Sequence, residues 1–179
     1  GFTFDWYLNV FNSMGAGSAR SSATLMEALR NSLFIGVIST IIATVLGTML
    51  ALSMARSKFP GKKIIDGFLL LPVVIPEITQ GISLALFFKI VFDYVQNTTG
   101  DRWLPGFGTI IIGHVAFNIS YVAIVVRASI QGLSKSYEEA SYDLGANYWR
   151  TFWRVTFPLI LPGIIGGALL AFTLSLDDY

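Results

Sequence analysis

The chain has 179 residues, no cysteine, one histidine, and only 13% charged residues. Without cysteine, neither a disulfide framework nor a thiolate metal site can form. A single histidine and no serine in a recognisable nucleophile motif leave too little for an intramembrane enzyme, which needs a nucleophile and base or a metal cluster. No GxxxxGK[ST] phosphate loop occurs, so the chain does not hydrolyse ATP itself. The formal net charge is +1, and no run of basic residues interleaves with aromatics, which argues against nucleic acid as a partner. Nothing in the sequence calls for a metal or a cofactor.

Long apolar runs are what the sequence does have. Hydrophobic residues make up 54% of the chain, and its charged fraction is about half the roughly 25% of soluble domains. Four segments reach the roughly 20 apolar residues that span a bilayer: Asn31 to Ala55, Gly67 to Phe88, Trp103 to Val126 and Val155 to Leu176. The first is too long for a signal-peptide core and follows 30 more polar residues, so it stays in the bilayer. The fold class expected is therefore an all-α membrane protein, with residues 1–30 as an external segment and 31–179 as the transmembrane domain.

Basic residues set the orientation. Arg56, Lys58, Lys62, Lys63, Arg127, Lys135, Arg150 and Arg154 fall on one side, against Arg20, Arg30, Lys89 and Arg102 on the other. The positive-inside rule places the first group in the cytoplasm. Small residues recur every fourth position at Ser39, Ala43, Gly47, Ala51 and Ala55, and again at Gly163, Gly167, Ala171 and Ser175. Such stripes are packing faces where helix backbones approach closely. Pro72 and Pro76 each remove a backbone donor and predict a kink or break in the second span.

The cytoplasmic loop 127–155 contains an unusual stretch, EEASYDLGANYWRTFWRVTFP from Glu138 to Pro158. Leu133, Tyr137, Ala140 and Leu144 share one face of a short amphipathic helix. Ser136 and Glu139 have the spacing of a capping box, Gly145 suits a left-handed helix end, and Asn147 can cap a second helix. A helix lying on anionic lipid carries basic residues on its polar face. This one is mainly acidic, which favours docking into a protein groove. Trp149, Phe152 and Trp153 read as an aromatic belt against the membrane lipid.

Glu139, Ala140 and Ser141, then Gly145 after three residues, then Val155, Phe157 and Pro158 follow the motif EAA, three residues, G, nine residues, I, any residue, L, P. Ser141, Val155 and Phe157 depart from the commonest letters but keep small size or apolarity. In this the chain resembles the membrane-spanning permease subunits of bacterial ATP-binding-cassette importers. The resemblance implies a helical bundle in the inner (plasma) membrane, and a cytoplasmic coupling helix seated in a cleft of an ATPase subunit. It implies as partners a pair of ATPase subunits, a second permease subunit and an external solute-binding protein. By the same resemblance Glu139 and Ala140 contact the ATPase and Gly145 forms the turn. A capping glutamate would also stabilise its own helix by about 1 kcal/mol, and the two roles are compatible. Members usually have six spans against the four visible here, which implies that a first and a last span lie outside this sequence.

Glu77 is the one formal charge within the four spans, and counting from Gly67 it lies roughly 15 Å deep. Gln80 follows on the same helical face, where it either hydrogen-bonds Glu77 or shares a lining position. Asp177 and Asp178 are expected near the outer end of the last span. An acidic path favours a cationic solute. LSLDDY and PEITQGISLAL resemble the polyamine permease subunits of the family, which implies spermidine or putrescine, with ferric iron and thiamine as alternatives. For Glu77 a packing or gating role stays open, as does a hydrated helix end for the two aspartates. A secondary transporter would also suit a kinked span with a buried acid, but would not need the coupling helix. His114, with Asn118 one turn later, is read as a helix-to-helix hydrogen-bonding residue.

Overall fold

In the computed structural model the described residues are 3–5, 8, 19–56 and 60–177; within the first long helix, side chains are described at 24 and 26–55. The elements are α1 (Ala19–Arg56), α2 (Lys62–Val74), α3 (Glu77–Thr99), α4 (Phe107–Gln131), α5 (Ser136–Asp143), α6 (Tyr148–Thr151), a π-helical turn (Phe152–Thr156) and α7 (Phe157–Asp177). Among the described residues, four stretches are long and apolar enough to cross a membrane: Met26–Ala55, Glu77–Thr99, Phe107–Gln131 and Tyr148–Asp177.

The core is a three-helix bundle of α1, α4 and α7. Ala51, Val122, Ala123, Val126 and Ala171 are buried at its centre, with Leu69 of α2 beside them. Lipid tails are as apolar as leucine, so burial alone does not pull such helices together, and close packing has to. The small-residue stripes provide it. Ser39, Ala43, Gly47 and Ala51 are buried on α1, as are Gly163, Gly167, Ala171 and Ser175 on α7. A Cβ on Gly47 would stand 2.8 Å from Val122 Cβ and 2.9 Å from the Ile119 carbonyl, so only glycine fits that crossing. Across the bundle, Asn118 Nδ2 donates to Ser175 Oγ at 2.7 Å, with both residues buried.

The second apolar run is two helices rather than one. Ile75 is extended, with φ −76° and ψ 131°, as a residue before proline tends to be. Pro76 then precedes the first residue of α3. The long helix through 148–177 instead stays continuous past Pro162 and carries its irregularity in the π turn, where the Phe157 amide reaches back to the Phe152 carbonyl. Trp103 to Gly106 are not helical, so the third span starts at Phe107, beyond Pro105.

Candidate functional site

Two places hold the polar residues of interest: the helix break between α2 and α3, and the hairpin of α5 and α6 between α4 and α7.

At the break, Gln80 Nε2 donates to the Pro72 carbonyl at 2.7 Å and to the Ile75 carbonyl at 2.8 Å. A broken helix in a bilayer must satisfy its freed carbonyls from within the protein, and this carboxamide does so. Gln80 is therefore committed to the backbone rather than to Glu77. The Tyr121 hydroxyl lies 3.5 Å from the same Pro72 carbonyl. Glu77, the first residue of α3, is exposed on the chain.

Depth follows from the register of α2 and α3 along α4. Asp66 pairs with Arg127, Pro72 meets Tyr121, and Leu84 packs on Gly113. Glu77 lies between the last two marks and so falls level with the middle of α4. Asp177 is exposed at the last described position of α7. Ser175, bonded to Asn118, also marks the middle of α4, and Asp177 is two residues, roughly 3 Å, further along. It thus lies well inside the outer end of α4, closer to the depth of Glu77 than the sequence suggested. Asp178 lies outside the described residues. Thr173 is engaged locally, its hydroxyl donating to the Leu169 carbonyl at 2.9 Å.

The ion pair of Asp66 and Arg127 joins α2 to α4 beside an open cleft of about 260 Å³ lined by Leu69, Ala123 and Ile124 among others. Sequence reasoning treated Arg127 only as a topology signal and passed over Asp66, 61 residues away. His114 is half-buried, its ring 5.7 Å from Phe117.

In the hairpin, α5 ends as its sequence predicts. Gly145 has φ 80°, its amide donates to the Tyr142 carbonyl at 2.8 Å, and the Ala146 amide donates to the Ser141 carbonyl at 3.1 Å. This is the paired hydrogen bonding of a Schellman cap, which a left-handed glycine permits. Asn147 Oδ1 accepts the Arg150 amide at 2.9 Å and starts α6. The capping box of Ser136 and Glu139 does not form. Lys135 is already helical, and the Ser136 amide goes to Ser134 Oγ at 3.3 Å. Glu139 and Ala140 are exposed, and so are Tyr137 and Leu144 on the apolar face, Leu144 at 89%. The amphipathic face is therefore present but covered by nothing among the described residues.

Two hydroxyl contacts fasten α5 to the segment between it and α7. Thr156 Oγ1 donates to Glu138 Oε1 at 2.7 Å, and Ser141 Oγ and Thr151 Oγ1 share a 3.0 Å hydrogen bond. Both threonines are buried, 2% and 1% exposed. Trp149, Phe152, Trp153 and Phe157 form one aromatic cluster with centroid separations of 5.0 to 6.3 Å.

Residues 43–179 match the family described as binding-protein-dependent transport system inner membrane component. The chain is 36% identical over 179 residues to the putrescine transport system permease protein PotI of Escherichia coli (strain K12), covering 99% of this chain and 59% of that protein. It is 30% identical over 178 residues to the spermidine/putrescine transport system permease protein PotC of Haemophilus influenzae, covering 99% of this chain and 62% of that protein. The chain thus spans about three fifths of the length of these curated relatives. Among solved structures it resembles a chain of a bacterial ABC transporter involved in the import of the acidic polysaccharide alginate. There the TM-score is 0.69 at 18% identity, over 98% of this chain and 68% of that one. A bacterial alginate ABC transporter in complex with alginate pentasaccharide-bound periplasmic protein gives 0.67 at 18% identity, over 95% of this chain and 65% of that one. These likenesses establish the fold. The chain belongs to the binding-protein-dependent transport system inner membrane component family.

Proposed function

We propose, from membership of that family, that the chain carries the translocating core of an importer permease that passes a polyamine such as spermidine or putrescine into the cytoplasm. Two partner ATPase subunits drive it, a second permease subunit completes the path, and an external solute-binding protein delivers the solute. The observation that carries the coupling part is the α5–α6 hairpin. Its backbone is capped by its own residues at Gly145 and Asn147, while Glu139, Ala140, Tyr137 and Leu144 are left exposed for a partner. An interface built around exposed aromatic and aliphatic anchors with charges at its edge fits a groove in a protein.

The polyamine assignment is supported by the relatives and by the acids. Glu77 makes no hydrogen bond or ion pair among the described residues, and it lies near mid-depth, where an uncompensated carboxylate is expensive. A group serving only to pack helices would be expected to have a partner. In this reading Glu77 and Asp177 belong to the path, where they would lower the barrier to a passing ammonium group by Coulomb attraction in a poorly screened region. Gln80 supports the path by satisfying the carbonyls that the break frees at Pro72 and Ile75, and Asp178 is assigned to the path with Asp177.

The test uses the full-length protein, coexpressed with its ATPase subunits and second permease and reconstituted with the binding protein. Spermidine or putrescine should raise ATP hydrolysis several-fold. Stimulation by ferric iron or thiamine alone would replace the substrate and keep the permease. Failure of any ATPase subunit to copurify would overturn the coupling assignment.

A further inference from the structure

We propose that Glu138, Ser141, Thr151 and Thr156 form a side-chain clamp that makes α5 move as one body with the base of α7 rather than with α4. The proposal rests on the importer reading and adds to it the route by which movement of α5 reaches the membrane.

Covalently, α5 hangs between two spans. Residues 132–135 tie it to α4, and Gly145 to Thr156 tie it to α7. Noncovalently the arrangement is lopsided. α5 packs on α6 and on the π turn, the π turn packs on α7, and α4 contributes almost nothing to that packing. Both hydroxyl bonds run in the same direction, from α5 to the α6–π segment.

The π turn explains how both bonds can form. Glu138 and Ser141 are three residues apart and so share one face of α5. To meet them, Thr151 and Thr156 must also share a face. In an α-helix, residues five apart point about 140° away from each other at 3.6 residues per turn. A π turn closes its hydrogen bond from residue i to i+5, so residues five apart stack. The Phe157 amide bonded to the Phe152 carbonyl shows that closure here. The extra residue in the turn therefore serves to bring two buried hydroxyls into register with the Glu138 carboxylate and the Ser141 hydroxyl on α5.

The chemistry suits a stiff joint. The bond from Thr156 ends on a carboxylate, and charge-assisted hydrogen bonds of this kind are shorter and stronger than neutral ones. Its 2.7 Å length agrees. Both threonines are buried, so water is poorly placed to substitute for a lost partner. Thr156 also occupies the one position between Val155 and Phe157 that the sequence motif leaves open, and Ser141 is one of its departures from the commonest letters. The clamp thus uses residues that the motif does not specify. These four are positioning residues: they touch neither nucleotide nor solute, and act through the rigidity of the hairpin.

The experiment measures spin-label distances in the reconstituted full assembly, for which the absence of cysteine in this chain is convenient. Labels replace exposed side chains as Tyr142→Cys with Leu159→Cys, and as Tyr142→Cys with Gln131→Cys. Between the nucleotide-free and ATP-bound states, the distance from 142 to 159 should hold while that from 142 to 131 changes. Equal changes in both would overturn the clamp. In parallel, the Thr151→Val, Thr156→Val double variant keeps volume and removes both hydroxyls. It should assemble and retain basal ATP hydrolysis within about twofold, while stimulation by loaded binding protein falls about tenfold, the scale of losing a charge-assisted hydrogen bond. Thr156→Ser keeps the hydroxyl and should retain stimulation. Undiminished stimulation in the double variant would overturn the proposal. Absence of stimulation in the wild-type assembly would instead overturn the importer reading, and the clamp with it.

Discussion

The chain interrupts its helices in two ways, at the Ile75–Pro76 break and at Gly145, and the two are finished differently. At the first, a proline forces the break, and the Gln80 carboxamide closes it by taking the carbonyls of Pro72 and Ile75. At the second, a glycine turns the chain, and backbone amides and Asn147 cap the two short helices. The contrast arises from the surroundings. At mid-depth, water is not available to the carbonyls, so a side chain supplies the hydrogen bonds that the Pro72 and Ile75 carbonyls lose at the break. At Gly145, in the link between two spans, water is at hand, so backbone and local caps are enough, and Tyr137, Glu139, Ala140 and Leu144 of this hairpin stay exposed.

The largest effect is expected where the environment is driest. Gln80→Leu leaves the Ile75 carbonyl without its donor and the Pro72 carbonyl with only the long contact to the Tyr121 hydroxyl, at about 1–3 kcal/mol for each polar group left unmatched away from water. The thermal midpoint and yield of the detergent-solubilised complex should fall sharply. Normal stability would mean that the break is hydrated and that the contrast is wrong.

Gly145→Val should act on function more than on folding. A left-handed conformation costs a residue with a Cβ about 1–2 kcal/mol, and a β-branched one resists it further. Assembly of the spans should survive, because nothing lies within 4 Å of a Cβ at that position. Uptake should fall about tenfold, the equivalent of about 1.4 kcal/mol. Uptake at the wild-type rate would show that the turn needs no glycine.

Asn147→Ala should be milder. It removes an N-cap worth about 1 kcal/mol from a helix that water can partly recap. Uptake should stay within about twofold and the thermal midpoint should shift less than with Gln80→Leu. A loss as large as that of Gln80→Leu would erase the distinction between the two breaks.

Much of this fold is legible from residue type and period alone. The spans follow from apolar length, and the small-residue stripes at Ser39 to Ala51 and Gly163 to Ser175 predict the buried faces, because close approach requires small side chains whatever the partner. The Gly145 turn and the Asn147 cap follow from backbone preferences that act within a few residues. What stayed hidden depends on three-dimensional register. Gln80 looks like a lining residue until the break presents it with two carbonyls. Ser136 and Glu139 have capping-box spacing, but Lys135 extends the helix backwards and the Ser136 amide is taken by Ser134. Thr151 and Thr156 give no signal at an α-helical period, since only the π turn aligns them. The pairing of Asp66 with Arg127 and the depth of Asp177 need the packing of α4 against its neighbours.

The central claim is that an acidic group at mid-depth serves a cationic solute, and uptake by Glu77→Gln tests it most directly. The substitution keeps the shape of the side chain and removes its charge. In vesicles containing the reconstituted assembly, labelled spermidine uptake should fall about tenfold or more, the scale of one lost close charge interaction, while assembly and basal ATP hydrolysis persist. Wild-type spermidine uptake by a fully assembled Glu77→Gln complex would contradict the account.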